Sequence, residues 1–384
     1  MHPSSILSYY PSYAILDEIL SYSNYDTLNI YIDLKNNLQT LYMQHAIVNV
    51  VESSLKSRYI DTSIFSSVIS FLSFHKMYAI RRKNLKLNFF IFFETGVSYF
   101  HTNLCRKYKL NRKIDDLYGL EKEKRDLFYK ILQKNLQLTE SACNKIPDIK
   151  VIRLQNLEAD FIPYYLISRN LVETSPNVAH IIYSNDHDML QCITDNVYVF
   201  QKTMKGVKRI IKKGEIMSTY FKYESKFPDD YFPLSMAIVG DQGDCVDGVK
   251  GIGAKRLEEI LEDVVRMTNG IDNLYDNVTN SKPIFIHNTE KIQNKYINMI
   301  VEKENSENLI SRNLKLVSFE ILSRFLDNPS NTEILNKKKY INEILQNNDV
   351  AEYESLSRAL SMNRVYLEED ALLALYYNYN GGYS

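Results

Sequence analysis

A chain of 384 residues exceeds one ordinary domain, and its apolar fraction of 45% is enough for a sizeable core, which excludes wholesale disorder. The four cysteines lie far apart without a CxxC pair, which argues against a disulfide framework or a zinc site and favours a reducing compartment. The net charge of −1 alone argues against a nucleic-acid binder. We find neither a signal-peptide pattern nor an apolar run approaching 18 residues, so we expect a cytoplasmic protein that does not enter a membrane.

The basic residues are nevertheless concentrated in two strips. Residues 81–113 contain nine lysines and arginines against one acid, Glu94, and residues 201–213 contain six against none. A nearly neutral total charge can therefore conceal surfaces that attract a phosphate backbone. Ordinary solvated faces explain either strip equally well.

Nearly continuous apolar runs alternate with stretches of helical periodicity in the first half of the chain. Such runs are typical of parallel strands buried on both faces, and the alternation predicts an α/β domain with a mainly parallel sheet flanked by helices. The strands are predicted at residues 29–34, 88–93, 149–154, 179–184 and 197–200, and the helices at residues 39–55, 61–79 and 116–137.

Beyond residue 200 the pattern predicts helices to the end of the chain. Residues 265–288 are rich in Asn, Asp, Gly and Pro and are predicted to form a loop-bearing connection. We therefore expect three regions, an α/β domain over 1–201, a helical region over 202–327 and a helical extension over 328–384. A docking site for a replication protein is one interpretation of the extension.

Acidic residues follow the predicted strands, at the positions where ligands collect in an open parallel sheet. Each acid alone has an ordinary structural explanation, as a helix N-cap or as a first-turn acid. Together they would repel one another unless cations lay among them, and carboxylate ligands suit Mg²⁺ or Mn²⁺. The strand-end acids are Asp33, Glu94, Glu158, Asp160, Asp186 and Asp188.

A second group of chemical residues occupies positions 238–261, IVGDQGDCVDGVKGIGAKRLEEIL. Asp241 and Asp244 are three residues apart, so a helix would place both carboxylates on one face. Residues 248–253 are predicted to form a Gly-rich hairpin that opens a helix at Ala254 and aims backbone N–H groups at a phosphate. With the strand-end acids, this group predicts phosphodiester hydrolysis assisted by two divalent cations.

Taken together, these motifs resemble the flap endonuclease/5′-3′ exonuclease superfamily, and most closely the 5′ nucleases of tailed bacteriophages. The resemblance runs from about residue 30 to residue 326, and the GD-x-x-D plus G-V-x-G-I-G-x-K combination is its most specific part. It rests on IDLKN (32–36), FFETG (92–96), RKYKLNR (106–112), LEAD (157–160), SNDHD (184–188), GDQGDCVDGVKGIGAKR (240–256) and RNLKLV (312–317). It implies a PIN-like catalytic domain followed by a helix-hairpin-helix module.

The resemblance also implies a role for each site residue. Lys109 and Arg112 would contact the scissile phosphate, and residues 106–145 would form a helical arch through which a free 5′ strand passes. One Mg²⁺ or Mn²⁺ ion would be bound by Asp33, Glu158, Asp160 and Asp186, and the other by Asp188, Asp241 and Asp244, with Glu94 in a further acidic motif. The duplex backbone would be contacted by Arg106, Lys107, Gly248, Lys250, Gly251, Gly253, Lys255 and Arg256, with K⁺ bound by hairpin carbonyls.

The chain departs from the family pattern at four positions. Glu94 stands where the family usually has Asp, Phe161 where it has a fourth acid, and Cys245 where it has Asn. Asp247 adds a negative charge at the mouth of the hairpin. The loss at Phe161 is expected to weaken one metal site or to change its preferred metal.

We therefore expect a divalent-metal-dependent 5′ nuclease, either a 5′ flap endonuclease or a 5′-3′ exonuclease. We expect it to act in replication or repair of viral type, in the cytoplasm of a host cell. Its expected partner is DNA with a 5′ flap or branch, or an RNA–DNA hybrid, bound by a monomer with or without replication proteins. Two alternatives remain open, a catalytically weakened binder of DNA junctions and a PIN-type ribonuclease.

Overall fold

The computed structural model describes residues 13–34, 51, 54–55, 60–82, 85–110, 122–202, 208–222, 227–285, 294–328, 332–347, 353–363, 365–378 and 382–383. The helix predicted over 39–55 lies almost entirely outside these residues, as does the first part of the helix predicted over 116–137. Among the helices within these ranges, none is both long enough and apolar enough to cross a membrane.

Six strands form the main sheet: β1 (Thr27–Asp33), β2 (Lys86–Thr95), β3 (Ile149–Gln155), β4 (Val178–Tyr183), β5 (Val197–Lys202) and β6 (Lys208–Ile211). They lie in the order β3-β2-β1-β4-β5-β6, with all neighbours parallel except β6, which pairs antiparallel with β5. The predicted mainly parallel α/β sheet is confirmed. The prediction that the strands stop near residue 200 is wrong, because the four-residue edge strand β6 is too short to show a pattern although it buries Ile211.

Burial on both faces explains why these strands are continuous apolar runs. Every residue of β1 is buried, and alternate side chains enter opposite hydrophobic cores, Tyr31 the first core and Ile30 the second. In the pairing register, Ile32 of β1 lies opposite Ile91 of β2 and Tyr183 of β4. β1 and β4 therefore end at nearly the same level, whereas β2 continues to Thr95, beyond the Phe92 that pairs with Asp33.

Helices cover both faces of the sheet, as predicted for this class. Those of the α/β domain are α1 (Tyr13–Tyr22), α2 (Ser63–Arg81), α3 (Tyr99–Leu104), α4 (Lys122–Cys143) and α5 (Ile162–Ser168). α2 and α4 pack together over the second core, where the amide oxygen of Asn135 accepts the Phe65 N–H at 2.9 Å. Phe161, at the start of α5, is fully buried in the first core.

The region after β6 is mainly helical. Its helices are α6 (Ile216–Phe221), α7 (Phe232–Val239), α8 (Ala254–Met267), α9 (Ile271–Thr279), α10 (Lys295–Glu307), α11 (Leu309–Val317) and α12 (Phe319–Asp327), with a small hairpin of β7 (Gly240–Asp241) and β8 (Val246–Asp247). The prediction of a loop-bearing connection over 265–288 is wrong where α9 forms. Leu274, Tyr275 and Val278 line one buried face of α9, so packing outweighs the low helix propensity of its Asn and Asp residues.

The extension folds back onto the α/β domain. It consists of α13 (Thr332–Gln346), α14 (Tyr353–Met362), α15 (Glu369–Tyr376) and the short strands β9 (Tyr377–Asn378) and β10 (Gly382–Tyr383). Leu356 and Leu375 are fully buried in the second core, and the Ser73 hydroxyl on α2 donates to the Ala371 carbonyl at 2.7 Å. The division of the chain at 201/202 and 327/328 stays a prediction.

Candidate active site

The strand-end acids lie at the edge of the main sheet where β1 to β4 end, here called the carboxyl edge. β1 ends at Asp33, which is only 7% exposed, and β2 carries Glu94 one residue before its end. The segments directly after β3 and β4 carry the other four, Glu158, Asp160, Asp186 and Asp188. Because the four strands are neighbours, the topology brings all six predicted acids to this edge.

Asp186 also has the ordinary structural role that was considered for it. It is the N-cap of the 3₁₀ helix His187–Cys192, and its Oδ1 accepts the Asp188 N–H at 3.1 Å. This cap fixes the chain after β4 so that Asp188 is buried, and the structural and chemical interpretations of Asp186 are therefore compatible.

Asp241 and Asp244 lie on a β-hairpin, not on a helix as predicted. α7 stops at Gly240, whose φ of 85° is left-handed, and a Cβ at this position would lie 2.4 Å from the Gly248 nitrogen. The chain turns there, and β7 pairs antiparallel with β8. The Lys109 N–H donates to the Asp244 carbonyl at 2.9 Å, which joins this hairpin to the α/β domain.

Burial and mutual repulsion act on Asp160 at the centre of the carboxyl edge. Burial raises the pKa of Asp160 well above its usual value, and the negative charges of Glu158, Asp186 and Glu94 raise it further. The Lys109 ammonium acts in the opposite direction but does not outweigh them. Three strand ends therefore contribute charge around one carboxyl group.

Burial and repulsion also act on Asp188, and here part of the repulsion comes from acids of the helical region. Its pKa is raised well above its usual value by burial first, and then by Asp186, Asp160, Asp244 and Asp241. The pKa of Asp241 is also raised, by burial and then by Asp244. The acids of both regions thus form one electrostatic network, here called the acid network.

One corner of the acid network is compensated by a cation. The Lys109 ammonium lies 2.6 Å from Glu158 Oε1 and 3.4 Å from Asp244 Oδ2, while the Tyr108 hydroxyl is 2.9 Å from Glu158 Oε2 and 3.3 Å from Asp244 Oδ2. Burial alone would raise the pKa of Glu158, but His101, Lys109 and the Tyr108 hydroxyl lower it to about 2. Glu158 is therefore ionised, and Lys109 connects the two regions.

Sequence reasoning missed the support beneath this corner. The buried ring of His101 stacks on Tyr108, with centroids 4.9 Å apart, and its Nδ1 is 2.7 Å from the Ser98 hydroxyl. The ring also hydrogen-bonds the Leu316 carbonyl on α11. Tyr108 could have been noticed beside Lys109 in RKYK, whereas a single histidine on the short helix α3 gives no sequence signal.

The donor chemistry of the carboxyl edge fits a hard divalent cation. Carboxylate oxygens are the ligands that Mg²⁺ and Mn²⁺ prefer, and a buried acid network gains most from a positive charge. Across the described residues, no three His, Cys, Asp or Glu side chains are arranged to hold a metal ion as they stand. The Lys109 ammonium is the positive charge at Glu158 and Asp244.

The Gly-rich segment forms the predicted tight turn before α8. A Cβ on Gly248 would lie 2.0 Å from the Val239 carbonyl oxygen, and Gly251 has a φ of 87°, so both positions require glycine. The Arg256 guanidinium donates to the Gly251 carbonyl and lies over the Tyr296 ring, 5.1 Å from its centroid. Arg256 therefore stabilises the turn from its exposed side.

The remaining predicted residues are placed as follows. Lys250, Gly253 and Lys255 are exposed at the turn, and Arg106 and Lys107 are exposed on the loop between α3 and Lys109. Arg112 lies outside the described residues. Of the predicted arch, residues 106–110 form this loop and residues 122–143 form α4, and the described residues do not include 111–121. At the position of the missing acid, the Phe161 ring packs against Tyr165 with centroids 6.0 Å apart.

Comparison with known proteins gives the same family that the motifs resemble. Residues 55–221 match the family model described as 5′-3′ exonuclease, N-terminal resolvase-like domain. This range includes β2 to β6 of the main sheet. A 5′-3′ exonuclease of Buchnera aphidicola subsp. Acyrthosiphon pisum is 28% identical over 241 residues, which are 62% of this chain and 71% of that protein.

Solved structures share the fold over most of the chain. The bacteriophage T5 D15 protein, co-crystallised with metal ions, superposes with a TM-score of 0.54 at 19% identity, covering 83% of this chain and all of that one. A variant of the same flap endonuclease, in a pseudo-enzyme–product complex with DNA and metal ions, gives a TM-score of 0.53 at 19% identity and the same coverage. At this identity the likeness establishes the fold, a mainly parallel sheet with a helical second part.

Proposed function

We propose that this chain, a nuclease of the flap endonuclease/5′-3′ exonuclease superfamily that hydrolyses phosphodiester bonds, is a structure-specific 5′ nuclease for 5′-flap or branched DNA. The acid network carries this proposal, because it joins Asp160 and Asp188 of the α/β domain to Asp241 and Asp244 of the helical region. A site built from two regions favours a substrate that contacts both at once. A role in viral-type replication or repair is supported by the likeness to a bacteriophage protein.

Two divalent cations, Mg²⁺ or Mn²⁺, are proposed to bind in the acid network. One would be held by Asp33, Glu158, Asp160 and Asp186, and the other by Asp188, Asp241 and Asp244, with Glu94 adding charge nearby. When bound, such ions activate water and stabilise the leaving oxygen of a phosphodiester. The chain itself supplies a partly buried set of oxygen ligands, and the Asp186 cap and the β7–β8 hairpin fix the backbone at both ends of the network.

Lys109 is proposed to contact the scissile phosphate, together with Arg112. Its ammonium already lies between carboxylates of both regions, 2.6 Å from Glu158 and 3.4 Å from Asp244. A phosphate arriving at this corner brings a negative charge to the same cation, and the Tyr108 ring, 5.0 Å from the ammonium, limits how far the side chain moves. Lys109 would thus exchange part of its carboxylate contact for the reacting phosphate.

The duplex is proposed to bind through the hairpin turn and the adjoining loop. Lys250, Lys255, Arg106 and Lys107 are exposed there, and the N-terminus of α8 has free N–H groups behind Gly253. The Gly248–Gly251 backbone is also proposed to bind K⁺ and to contact the duplex backbone. Arg256 supports this site by donating a hydrogen bond to the Gly251 carbonyl. An RNA–DNA hybrid, additional replication proteins and a monomeric state belong to the same proposal.

A cleavage assay tests the proposed function. The protein is incubated with a labelled 5′-flap duplex, a blunt duplex and a single-stranded RNA, each in Mg²⁺, in Mn²⁺ and in EDTA. We expect flap cutting that EDTA abolishes and that Asp188→Asn reduces by about 10³-fold, the scale of losing one electrostatic group at a developing charge. The matched control is Asp195→Asn, because Asp195 is an exposed acid outside the acid network.

The outcomes separate the alternatives. Tight flap binding without product in either metal would replace this proposal with a DNA-junction binder, for which the buried Phe161 at an acid position is the relevant observation. Cutting of the RNA alone would identify a PIN-type ribonuclease. Equal activity of Asp188→Asn and Asp195→Asn would remove the acid network from the mechanism.

A further inference from the structure

Two clefts meet at one arginine on α11. The first, with a volume of about 570 Å³, lies between the hairpin turn and the ends of α10 and α11, and includes Lys250 and Lys303. The second, of about 290 Å³, lies between the loop that carries Arg106 and Lys107 and the start of α11. Arg312 lines both clefts. Arg312 therefore lies between the hairpin turn and the loop that leads to Lys109.

The Arg312 guanidinium is held only weakly by the described residues around it. Its Nε is buried without a hydrogen-bond partner within the described part of the chain. The contact from Nη2 to Asn313 Oδ1 is 3.5 Å long, at the limit for a hydrogen bond. The residue as a whole is half-buried and lines both clefts, so the terminal nitrogens of its guanidinium are the atoms that an anion from outside would contact.

The charges that line the clefts indicate the chemistry of that partner. Five side chains are basic and two are acidic: Arg106, Lys107, Lys250, Lys303 and Arg312 against Asp247 and Glu307. Glu307 is paired with Lys303 along α10, so the surface carries excess positive charge. A planar guanidinium with donors in a fork matches a phosphate, and the excess charge favours a chain of phosphates over a single small anion.

The residue after Arg312 shows that this geometry is rigid. Asn313 is fully buried, and its amide donates to the Ala237 carbonyl on α7 and to the Asp247 carbonyl on β8, at 2.8 Å each. These two bonds fix α11 against both elements that lead into the hairpin turn. Arg312 is thereby held at a set position relative to the turn and to the loop of Lys107.

We propose that Arg312 binds a backbone phosphate of the substrate strand that passes from the hairpin turn to the carboxyl edge, and that the two clefts form one continuous phosphate path. Asp247, which lines both clefts, would limit the affinity of this path. This inference rests on the proposed function, and it adds a contact at the junction of the two regions. Arg312 is a binding residue here, not a catalytic one.

Salt dependence of binding tests the inference. Affinity for a fluorescent 5′-flap duplex is measured by anisotropy in EDTA, from about 50 to about 300 mM KCl, for wild type, Arg312→Ala, Arg312→Lys and Asp247→Asn. We expect Arg312→Ala to weaken binding several-fold for every sequence and to reduce the slope of log affinity against log salt by about 0.9, the value for one lost phosphate contact. Arg312→Lys keeps the slope and loses part of the affinity, and Asp247→Asn binds more tightly.

The control is Lys315→Ala, which removes one positive charge from the same helix at a residue that lines neither cleft. It is expected to leave the slope unchanged. An unchanged slope for Arg312→Ala, in a variant with wild-type thermal unfolding, would overturn the inference. If Arg312→Ala does not fold, Asp247→Asn provides the test. An affinity of Asp247→Asn for the flap duplex equal to that of wild type would then overturn the inference. Failure of the wild type to bind flap DNA would instead overturn the proposed function.

Discussion

The charged side chains at the two edges of the main sheet have different neighbours. At the edge where β3 begins, the buried Lys76 ammonium donates to the Pro147 carbonyl at 2.8 Å and lies 3.6 Å from the Asp148 carboxylate. Burial lowers its pKa to about 8, and Asp148 opposes this shift. At the carboxyl edge, the half-buried Asp160 and the buried Asp188 lie mainly among like charges.

The difference distinguishes a structural charge from a functional one. A cation that is paired within the fold contributes to a single stable structure, whereas carboxylates that repel one another lower stability and persist because they bind something. Both kinds are buried, so burial alone does not identify a site. The sign of the neighbouring charges does.

The largest expected effect concerns the carboxyl edge. Asp188→Asn should abolish nearly all cleavage, by about 10³-fold. It should also raise the free energy of unfolding in EDTA by about 1 kcal/mol, because it replaces a carboxyl group whose ionised form is penalised by burial and by the neighbouring acids. Cleavage rates and urea unfolding of the same preparation check both parts. If Asp188→Asn loses activity and stability together, the carboxylates at the carboxyl edge do not lower the stability of the fold.

The opposite edge should respond in the opposite way. Asp148→Asn is expected to cost about 2 kcal/mol of unfolding free energy, because it leaves the buried Lys76 ammonium without its counter-charge, and to leave cleavage unchanged. Asp148 has a φ of 63°, a conformation that Asn tolerates, so the substitution isolates the charge. Adding Lys76→Met should recover most of the loss in urea unfolding, and an additive double mutant would show that the pair is not coupled.

Two buried histidines should make stability depend on pH. Burial lowers the pKa of His75 and of His180 to about 4, against 6.5 in an unfolded chain. Between about pH 6.5 and about pH 4 these two histidines bind more protons in the unfolded state, so their contribution to the free energy of unfolding falls as the pH falls, by up to about 1.4 kcal/mol per pH unit for each histidine. Above about pH 6.5 they contribute no slope.

Unfolding measured across this pH range checks the histidine effect. His75→Gln should remove part of the slope, because the His75 ring no longer titrates. His75 Nδ1 donates to the Phe71 carbonyl, so its Nε2 accepts from the Tyr183 hydroxyl at 3.0 Å. An identical slope in His75→Gln and in wild type would contradict the assignment.

The smallest expected effect is at Cys245, in the turn between Asp244 and β8. Its φ of 57° is left-handed, which costs a cysteine free energy that Asn largely avoids. Cys245→Asn should therefore raise the free energy of unfolding by about 1 kcal/mol with cleavage kept. Thermal unfolding measures this, with Cys105→Ser as a matched cysteine control at a residue whose backbone is extended. No gain would mean that the turn relaxes around Cys245.

Much of the sheet could be predicted because β1 to β5 are buried on both faces and therefore appear as apolar runs. The strand-end acids followed from topology, since parallel neighbours must end at one edge. β6 and the β7–β8 hairpin were missed because such short strands carry no periodicity, and the turn at Gly240 depends on contact with Gly248. α9 was missed because its helix is stabilised by burial of Leu274 rather than by propensity.

Within the site, residue types could be predicted but not pairings. Asp241 and Asp244 were expected on a helix and lie on a hairpin, yet they still reach the acid network, because a short turn also brings residues three apart together. The stack of His101 on Tyr108 depends on the packing of α3 against α11 and has no local pattern. Long-range packing of this kind is what a single sequence leaves out.

The packing of the extension has a consequence for synthesis of the protein. Thr62 donates to the Asn363 carbonyl across 301 residues, and Ser73 to the Ala371 carbonyl across 298. The second core beneath β1 is therefore complete only when residues such as Leu375 have been synthesised. We expect late, cooperative folding of the nuclease, because such distant contacts are slow to form. A growing chain would then be unable to cut nucleic acid until α15 has been synthesised.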